Sequence, residues 1–295
     1  MSETTSGHFH SRRLCVIGVG LIGGSLVRAL RAAGAVDEVV GAGRREAPLR
    51  KALELGVVDR YDTDLVAAVA GADMVVVAVP LGAIGAVLAT VAGHLADDAV
   101  LTDVGSAKGS VVSDAVRVFG GVPPRFVPGH PIAGTEKSGV EASFPELFQH
   151  RRTILTPLLE TDIHALGRVR TMWETVGSEV VEMGVQHHDA VLAATSHLPH
   201  MLAYALVECL ANLDDRAEIF RYAAGGFRDF TRIASSDPVM WRDVCVANRE
   251  ALLAVLGRFR DDLGRLMAAI DTGDTDTVTA VFQRAKTARD NLYRD

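Results

Sequence analysis

The segment Leu14-Cys15-Val16-Ile17-Gly18-Val19-Gly20-Leu21-Ile22-Gly23-Gly24-Ser25 places a GxGxxG pattern directly after a short apolar run. Between a strand and a helix, such glycines permit a tight turn, let the backbone approach a pyrophosphate, and set its oxygens against the helix N-terminus. The alternative is a glycine turn that serves packing alone. We expect this turn to bind a dinucleotide through Gly18, Gly20, Leu21, Ile22 and Gly23.

Short apolar runs alternate with helix-like segments from Arg12 to about Met183. Near-continuous apolar strands separated by helices are typical of a mostly parallel sheet covered on both faces. The pattern predicts an α/β fold with a Rossmann-type, doubly wound N-terminal domain. The predicted strands are Leu14–Ile17, Glu38–Val40, Asp73–Val79, Ala99–Thr102, Arg125–Val127, Thr153–Leu155 and Glu179–Glu182.

From Gln186 onward the apolar residues recur at intervals of three and four, which predicts an all-α C-terminal domain. One long helical run extends from Val239 to Met267, and a final helix from about Thr275 to Leu292. Because the apolar stripes are too extensive for this half to bury alone, we expect a homodimer through the C-terminal helices. The predicted domains are a disordered N-terminus at 1–11, a dinucleotide-binding domain at 12–184 and a helical substrate and dimerisation domain at 185–295.

Composition limits the classes of partner. The 295 residues are 48% hydrophobic, and the net charge of -7 with dispersed arginines argues against nucleic acid. Met1 to Arg13 lack the apolar run of a secretion signal, and no stretch reaches about 18 uninterrupted apolar residues. We therefore expect a cytoplasmic protein without a membrane partner. The three cysteines, which we expect to be buried thiols in a reducing compartment, are Cys15, Cys209 and Cys245.

The second strand ends in Val40-Gly41-Ala42-Gly43-Arg44-Arg45, where NAD-preferring sites usually carry an acidic residue. Gly43 removes that acid, and Arg44, with Arg45 beside it, could pair with a 2′-phosphate. We expect NADP to be preferred, or both cofactors to be used. In the alternative interpretation both arginines are solvated loop residues.

Two further strand ends face the same crevice, Val79-Pro80 and the segment from Thr102 to Lys108. Ligands of open α/β sheets lie beyond the carboxyl ends of strands, so we expect Val79, Pro80 and Asp103 to contact the cofactor. Ser106 then lies where a nicotinamide and its substrate would meet. Helix capping is the alternative role of Ser106, and it is compatible with catalysis.

A histidine lies in the Gly/Pro-rich turn Gly129-His130-Pro131-Ile132-Ala133-Gly134-Thr135-Glu136. An imidazole near its ordinary pKa can accept a proton at neutral pH, as oxidation of an alcohol by a nicotinamide requires. We therefore interpret His130 as the general base of a dehydrogenase.

The helical half contributes polar motifs at Ser196-His197-Leu198-Pro199-His200 and Gly226-Phe227-Arg228-Asp229-Phe230-Thr231-Arg232. His197 and His200 could share a helix face in a substrate pocket. Alternatively, they could bind a metal together with His187, His188 or Asp189. Because no complete set of metal ligands is present, we expect no metal. Asp229 between two arginines suggests that one guanidinium is held and the other grips a carboxylate. A surface salt bridge is the alternative.

The chain resembles the prephenate/arogenate dehydrogenase family over about residues 12 to 292. The resemblance rests on the glycine turn, on Asp103-Val104-Gly105-Ser106, on the two helical motifs and on Gly129-His130-Pro131-Ile132-Ala133-Gly134-Thr135-Glu136-Lys137-Ser138-Gly139. It implies oxidative decarboxylation of prephenate or arogenate with hydride transfer to NAD(P), in tyrosine biosynthesis.

The resemblance also implies a specific role for each of several residues. It implies that His130 hydrogen-bonds the C4 hydroxyl of the ring and that Ser106 lies beside that hydroxyl. Arg232 would hold a substrate carboxylate. The other implied substrate-binding residues are His197, His200, Glu136 at the site entrance, Thr135 and Asp229.

Several alternatives stay open at the level of sequence. No residue distinguishes prephenate from arogenate, and a 4-amino ring analogue is a further possibility. One alternative is another two-domain reductase, of the β-hydroxyacid dehydrogenase or imine reductase type, which would not explain His130 together with Arg232. A second alternative is a dinucleotide sensor without catalysis, which would not require His130 and Arg232. Since no regulatory or mutase domain is recognisable outside residues 12–292, we expect any feedback by tyrosine to act at the active site.

Overall fold

The computed structural model describes residues 8–292. The predicted disorder at residues 1–7 lies outside the described residues. For residues 8–11 the prediction is wrong, because Phe9 is buried and Ser11 begins the first strand. The hydrophobic contact of Phe9 with the core ties this segment to the sheet.

A six-stranded parallel sheet forms the centre of the N-terminal half, in the order β3-β2-β1-β4-β5-β6. Its strands are β1 (Ser11–Ile17), β2 (Val36–Ala42), β3 (Arg60–Asp62), β4 (Met74–Val77), β5 (Val100–Asp103) and β6 (Phe126–Val127). The order confirms the doubly wound fold. β3 is absent from the predicted strands, because this half-buried edge strand has only three residues and no apolar run.

Both faces of this sheet are covered, as the apolar strands require. Along β1, Leu14 and Val16 point into one core cluster, and Cys15 and Ile17 into the other. The helices of this half are α1 (Leu21–Ala32), α2 (Glu46–Glu54), α3 (Leu65–Val69), α4 (Leu81–Val91), α5 (Lys108–Phe119) and α6 (Ile163–Thr175). α1 and α6 pack on the first face, and α4 and α5 on the second.

A second, three-stranded sheet contains β7 (Gly129–Pro131), β8 (Arg152–Leu155) and β9 (Glu179–Glu182). β7 runs antiparallel to β8 and pairs His130 with Ile154. The prediction that His130 lies in a turn is therefore wrong: ladder hydrogen bonds hold its backbone in a short strand.

The C-terminal half is helical, as predicted. Its helices are α7 (Val185–Leu192), α8 (Leu198–Ala211), α9 (Arg216–Arg221), α10 (Gly225–Thr231), α11 (Pro238–Ala247), α12 (Arg249–Asp271) and α13 (Thr275–Asn291), and a π-helical turn at Ala193–His197 joins α7 to α8. The single helical run predicted from Val239 to Met267 is wrong, because Asn248 interrupts it with φ -108° and ψ 32°. The Asn248 side chain instead donates hydrogen bonds to the carbonyl of Asp189 and to His197 Nδ1.

Contacts divide the chain after Asn248 into a large unit and a small one that contains α12 and α13. This break differs from the predicted domain boundary at residue 184, which stays a prediction. Val185–Ala211 is long and apolar enough, at a mean hydropathy of 1.3, to cross a membrane by length and composition alone. Its buried His188 and Asp189 form hydrogen bonds with other parts of the protein.

The cysteines are only partly as predicted. Cys15 is buried in the core, where burial raises the pKa of its thiol to about 12. Cys209 is exposed and Cys245 half-buried, so the expectation of three buried thiols is wrong for these two. Both lie on helices whose outer faces are not covered within one chain.

A buried ion pair connects β5, α5 and β7. Lys108 and Asp103 are both inaccessible to solvent, with Nζ 2.5 Å from Oδ2. Lys108 Nζ also donates to the carbonyl of Gly129 at 2.6 Å, and Asp103 accepts from the amides of Gly105 and Gly129. Burial lowers the pKa of Lys108, and the carboxylate of Asp103 opposes that shift. The pair holds the strand of His130 against the end of β5.

Replacing Lys108 by methionine should destabilise the protein by about 3–5 kcal/mol, because the Asp103 carboxylate then stays buried without its cation. The measurement is the free energy of unfolding in denaturant, followed by tryptophan fluorescence. Asp103→Asn combined with Lys108→Met should recover part of the loss, since no unpaired charge remains. A Lys108→Met variant as stable as the parent would contradict this account.

Candidate active site

The glycine turn between β1 and α1 has the shape that a dinucleotide needs. Gly18 has φ +101°, and a Cβ at this position would lie 2.4 Å from the carbonyl oxygen of Ala78. A Cβ on Gly23 would lie 2.4 Å from the carbonyl oxygen of Gly18. Gly20 precedes α1 without a side-chain cap, and apart from its chain neighbours no atom of residues 8–292 lies within 4 Å of where its Cβ would be. Leu21 and Ile22 begin the helix, so its free amides face an open space suited to a pyrophosphate.

The end of β2 presents two unpaired guanidinium groups. Gly43 is half-buried, and Arg44 and Arg45 are exposed. Within residues 8–292 neither arginine forms a hydrogen bond or ion pair with another side chain, which leaves both cations available to an anionic ligand.

The ends of β1, β4 and β5 lie side by side. Gly18 approaches Ala78, the residue after β4, and the amide of Val104 donates to the carbonyl of Val77. This edge includes the point between β1 and β4 where the strand order reverses, the usual ligand position in such sheets. Val79 is half-buried and Pro80 exposed there.

Two sequence expectations at this edge need correction. Asp103 was expected to contact the cofactor, but its side chain is fully buried in the pair with Lys108. Ser106 does not cap α5, because Ala107 occupies the N-cap position and no side chain caps it. The half-buried hydroxyl of Ser106 makes no hydrogen bond to any residue that the structure describes, so it is available to a ligand.

His130 is 8% exposed, and its Nδ1 lies 2.9 Å from Nε2 of His188. Its Nε2 has no partner among residues 8–292. Burial, reinforced by His188, Lys108 and His197, holds the pKa of His130 well below its ordinary value. The imidazole is therefore neutral at neutral pH and able to accept a proton.

His188 and Asp189 lie behind His130, on the buried side of α7. His188 Nδ1 is 2.8 Å from Oδ1 of Asp189, whose two oxygens also accept from the amides of Lys108 and Gly109. From the sequence, His188 and Asp189 are candidates only for a metal site. Adjacent polar residues on the core-facing side of an amphipathic helix predict a buried hydrogen-bond network, because buried polar groups require hydrogen-bond partners.

The two histidines of the helical motif occupy different environments. His197 is 1% exposed in the π-helical turn, and burial lowers its pKa to about 4. Asn248 donates to its Nδ1, while its buried Nε2 has no partner among the residues that the structure describes. In a neutral ring with Nδ1 as acceptor, Nε2 carries the hydrogen, so His197 offers an unpaired donor.

His200 stacks on Trp241, with ring centroids 3.6 Å apart and planes at 19°. Burial lowers the pKa of His200, and the nearby Arg232 lowers it further. His197 is within electrostatic range of both His130 and His200. The fold therefore brings His130, His197, His200 and Arg232, which are up to about a hundred positions apart in the chain, into one polar cluster.

Arg232 forms an ion pair with Glu136, and both side chains are exposed. Hydrogen bonds from its own backbone amide and from Arg232 lower the pKa of Glu136. The expectation that Asp229 holds a guanidinium is wrong, because exposed Asp229 pairs with no residue in the described part of the chain. Thr135 is exposed next to Glu136, and its hydroxyl accepts from the amide of Lys137 at 3.2 Å. Arg232 is thus held at the mouth of the cluster by a residue from the segment after β7.

No group of three or more His, Cys, Asp or Glu side chains in residues 8–292 is arranged to hold a metal ion. His187 is exposed, whereas its neighbour His188 is buried. The polar cluster therefore offers a proton acceptor, hydrogen-bond donors and one guanidinium.

A nucleotide-binding turn at the switch point of a parallel sheet, with a neutral buried histidine beyond the strand ends, defines a nicotinamide-dependent dehydrogenase. Two family models match the chain, "Prephenate dehydrogenase, nucleotide-binding domain" over residues 26–182 and "Prephenate dehydrogenase, dimerization domain" over residues 185–284. The chain belongs to the prephenate dehydrogenase family. It is an enzyme whose cofactor is a nicotinamide dinucleotide.

Individual relatives agree with the family models. The chain is 39% identical to a cyclohexadienyl dehydrogenase of Zymomonas mobilis, over 96% of this chain and 97% of the relative. It is similar to the structure of prephenate dehydrogenase from A. aeolicus in complex with hydroxyphenyl propionate and NAD+, with a TM-score of 0.88, 36% identity and coverage of 95% and 98% of the two chains. It is also similar to Synechocystis arogenate dehydrogenase, with a TM-score of 0.80, 30% identity and coverage of 95% and 99%.

Gly20→Ala tests the cofactor turn without disturbing the fold. Beyond its chain neighbours, the new methyl group meets no atom of the described residues, but it occupies the space through which a pyrophosphate would approach the backbone. We expect at least about a tenfold increase in the Kd for the dinucleotide, a binding loss of about 1.4 kcal/mol. The measurement is a fluorescence titration with the reduced cofactor.

The matched control is Gly167→Ala in α6, where a Cβ also meets nothing within 4 Å. It should leave cofactor affinity and the melting temperature close to those of the parent. Equal cofactor affinity in the two variants would remove Gly20 from the cofactor site.

Proposed function

We propose that this enzyme oxidatively decarboxylates prephenate, arogenate or both, with NAD(P) as hydride acceptor, in tyrosine biosynthesis. The observation that carries the proposal is the neutral, buried His130 at the strand ends. Its Nε2 is free of partners in residues 8–292, and its ring belongs to the same polar cluster as Arg232. The family membership and the names of the relatives support it. Other two-domain reductases would not need this combination of groups.

His130 acts as the general base in this proposal. Its Nε2 accepts the proton of the C4 hydroxyl, with Ser106 hydrogen-bonded to the same oxygen. Bound NAD(P)+ supplies the acceptor for the hydride that leaves C4. Loss of carbon dioxide from C1 then makes the ring aromatic and leaves a phenolate oxygen, to which His130 returns the proton. Since aromatisation drives the reaction, one base and accurate positioning suffice.

Arg232 serves as the anchor for a substrate carboxylate. Glu136 keeps its guanidinium extended at the mouth of the site, and a substrate carboxylate can take over part of that pairing. His197 contributes its unpaired Nε2 donor, and His200 a polar ring edge fixed by Trp241. Thr135 and Asp229 are proposed to line the same entrance, where both are exposed.

NADP is the proposed preferred cofactor, with dual use as the other possibility. The proposal is supported by Gly43 in place of an acidic residue and by the unpaired, exposed Arg44 and Arg45. A 2′-phosphate would find two cations at the end of β2 and no carboxylate at position 43.

The proposed assembly is a cytoplasmic homodimer through the C-terminal helices, with domains at 12–184 and 185–295. A row of apolar side chains on α12 supports it, because they are 37–64% exposed within one chain. Continuous apolar stripes of this kind mark protein interfaces. The row consists of Leu253, Phe259, Leu263, Met267 and Ile270.

The parent enzyme should reduce NAD or NADP with prephenate, arogenate or both, when each substrate is assayed with each cofactor. His130→Asn should lower kcat by about 10²- to 10⁴-fold with a modest change in KM, because the base acts on the chemical step. Since only neutral His130 accepts a proton and its pKa is depressed, the acid limb of kcat/KM should lie below pH 6.5. Activity should fall as the pH drops through that limb.

Arg232→Ala is the contrasting variant, because an anchor used before and during the reaction should chiefly raise the substrate KM. No NAD(P)H formation by the parent enzyme with either substrate would refute the proposed function. Near-parental turnover of His130→Asn would exclude His130 as the base, whatever the substrate.

Arg44→Ala should raise the KM for NADP by about tenfold and leave the KM for NAD unchanged, because the guanidinium would pair with the 2′-phosphate, which NAD lacks. Steady-state kinetics with each cofactor provide the measurement. Arg50→Ala, an exposed residue of the following helix, is the control for a general loss of positive charge. Unchanged use of NADP by Arg44→Ala would contradict the cofactor proposal.

A further inference from the structure

We propose that Asp189 and His188 are positioning residues that hold His130 in the tautomer whose Nε2 is the free proton acceptor. The same carboxylate also anchors the start of α5, directly after the loop that carries Ser106. This inference rests on the proposed function insofar as it assigns His130 the role of base.

Three side chains form a continuous line of hydrogen bonds from the helical half to the strand ends. Asp189 Oδ1 lies 2.8 Å from His188 Nδ1, and His188 Nε2 lies 2.9 Å from His130 Nδ1. His188 is fully buried and Asp189 is 9% exposed. Both ring nitrogens of His188 have protein partners, so no water molecule is needed to satisfy either of them.

The direction of the line follows from the chemistry of its ends. An ionised carboxylate can only accept, so Nδ1 of His188 carries the hydrogen. With the single ring hydrogen of His188 on Nδ1, its Nε2 accepts, and Nδ1 of His130 is the donor across the 2.9 Å contact. The hydrogen of neutral His130 is thereby placed on Nδ1. Its Nε2, which has no partner among residues 8–292, is left with the lone pair that accepts a proton.

The backbone keeps Asp189 ionised. Burial alone would raise its pKa, but hydrogen bonds from His188 and from the amides of Lys108 and Gly109 outweigh burial and lower it. Each of these amides donates at 2.8 Å, and they belong to the first turn of α5, where the helix dipole also favours an anion. The carboxylate therefore stays an acceptor on all sides.

The hydrogen bonds from the two α5 amides also explain how Asp189 acts on both Ser106 and His130. Lys108, the first residue of α5, follows Ser106 by two positions, so the bond to its amide fixes the end of the Ser106 loop. A Cβ on Gly109 would lie 2.8 Å from Asp189 Oδ2, so the close approach depends on glycine. Asp189 thus orients the loop of Ser106 and, through His188, the ring of His130.

The test compares two replacements of His188. In His188→Gln, the side-chain NH2 must face the Asp189 carboxylate, so its oxygen faces His130 and still accepts from Nδ1. His188→Leu removes the acceptor and frees His130 to carry its hydrogen on Nε2. We expect kcat of His188→Gln within about threefold of the parent and kcat of His188→Leu lower on the order of 10²-fold. The Kd for the dinucleotide should not change in either variant.

The tautomer itself is read by ¹⁵N NMR of the histidine-labelled full-length protein, with His130→Asn used to assign the signals. The parent and His188→Gln should show Nδ1 of His130 protonated and Nε2 bare, and His188→Leu should show the reverse. A parent enzyme with the hydrogen on Nε2, or equal kcat in the two variants, would overturn the proposal.

Asp189→Asn provides the second line of evidence. Either orientation of the new amide sets its NH2 against a backbone N–H of α5, so kcat should fall at least about tenfold. The control is Asp162→Asn, which alters another helix-capping carboxylate, at α6, and should leave kcat unchanged. If a variant does not fold, the NMR pattern of the parent and of His188→Gln still decides. A parent inactive on both substrates would refute the proposed function, while the NMR result would still test the hydrogen-bond line.

Discussion

The buried pair of Lys108 and Asp103 is the interaction on which the site depends. Lys108 begins α5, Asp103 ends β5, and both bond to Gly129 at the start of β7. Without this contact, β7 would lose its hydrogen bonds to the end of β5 and the start of α5 and would keep its ladder with β8 and the bond from His130 to His188. An isolated charge in this position would be costly, so each partner is necessary for the other.

A second set of polar contacts attaches the first helices of the C-terminal half to that arrangement. Asp189 bonds to the start of α5, and Asn248 bonds to both Asp189 and His197. These contacts are directional and buried, so they specify one relative placement where apolar packing would allow several. The histidines of α7 and of the π-helical turn thereby lie beside a strand end that is distant in sequence. The break of the helix at Asn248 follows from the same contacts.

Much of the fold could be predicted because its determinants are local or periodic. The glycine turn, the apolar strands and the helical repeat after Gln186 each contain their signal within a few residues. The predictions of secondary structure were wrong for elements that only tertiary contacts stabilise. β3 is too short and too polar to have a strand signal, and β7 looks like a turn because its Gly and Pro residues are stabilised as a strand only by β8.

The candidate site divides in the same way. By itself, the sequence determined the cofactor turn, the α/β and helical halves, and the candidacy of His130 and Ser106, because these signals depend on residue type and spacing. The resemblance to a known family added Arg232. Only the tertiary structure decided that Asp103 is an internal ion-pair partner, that Arg232 pairs with Glu136 rather than Asp229, and that Asp189 and His188 lie behind His130. In each case the partners are far apart along the chain or their burial is not evident from the sequence. The direction of a hydrogen bond depends on distances between atoms in space, which the spacing of residues along the chain does not give.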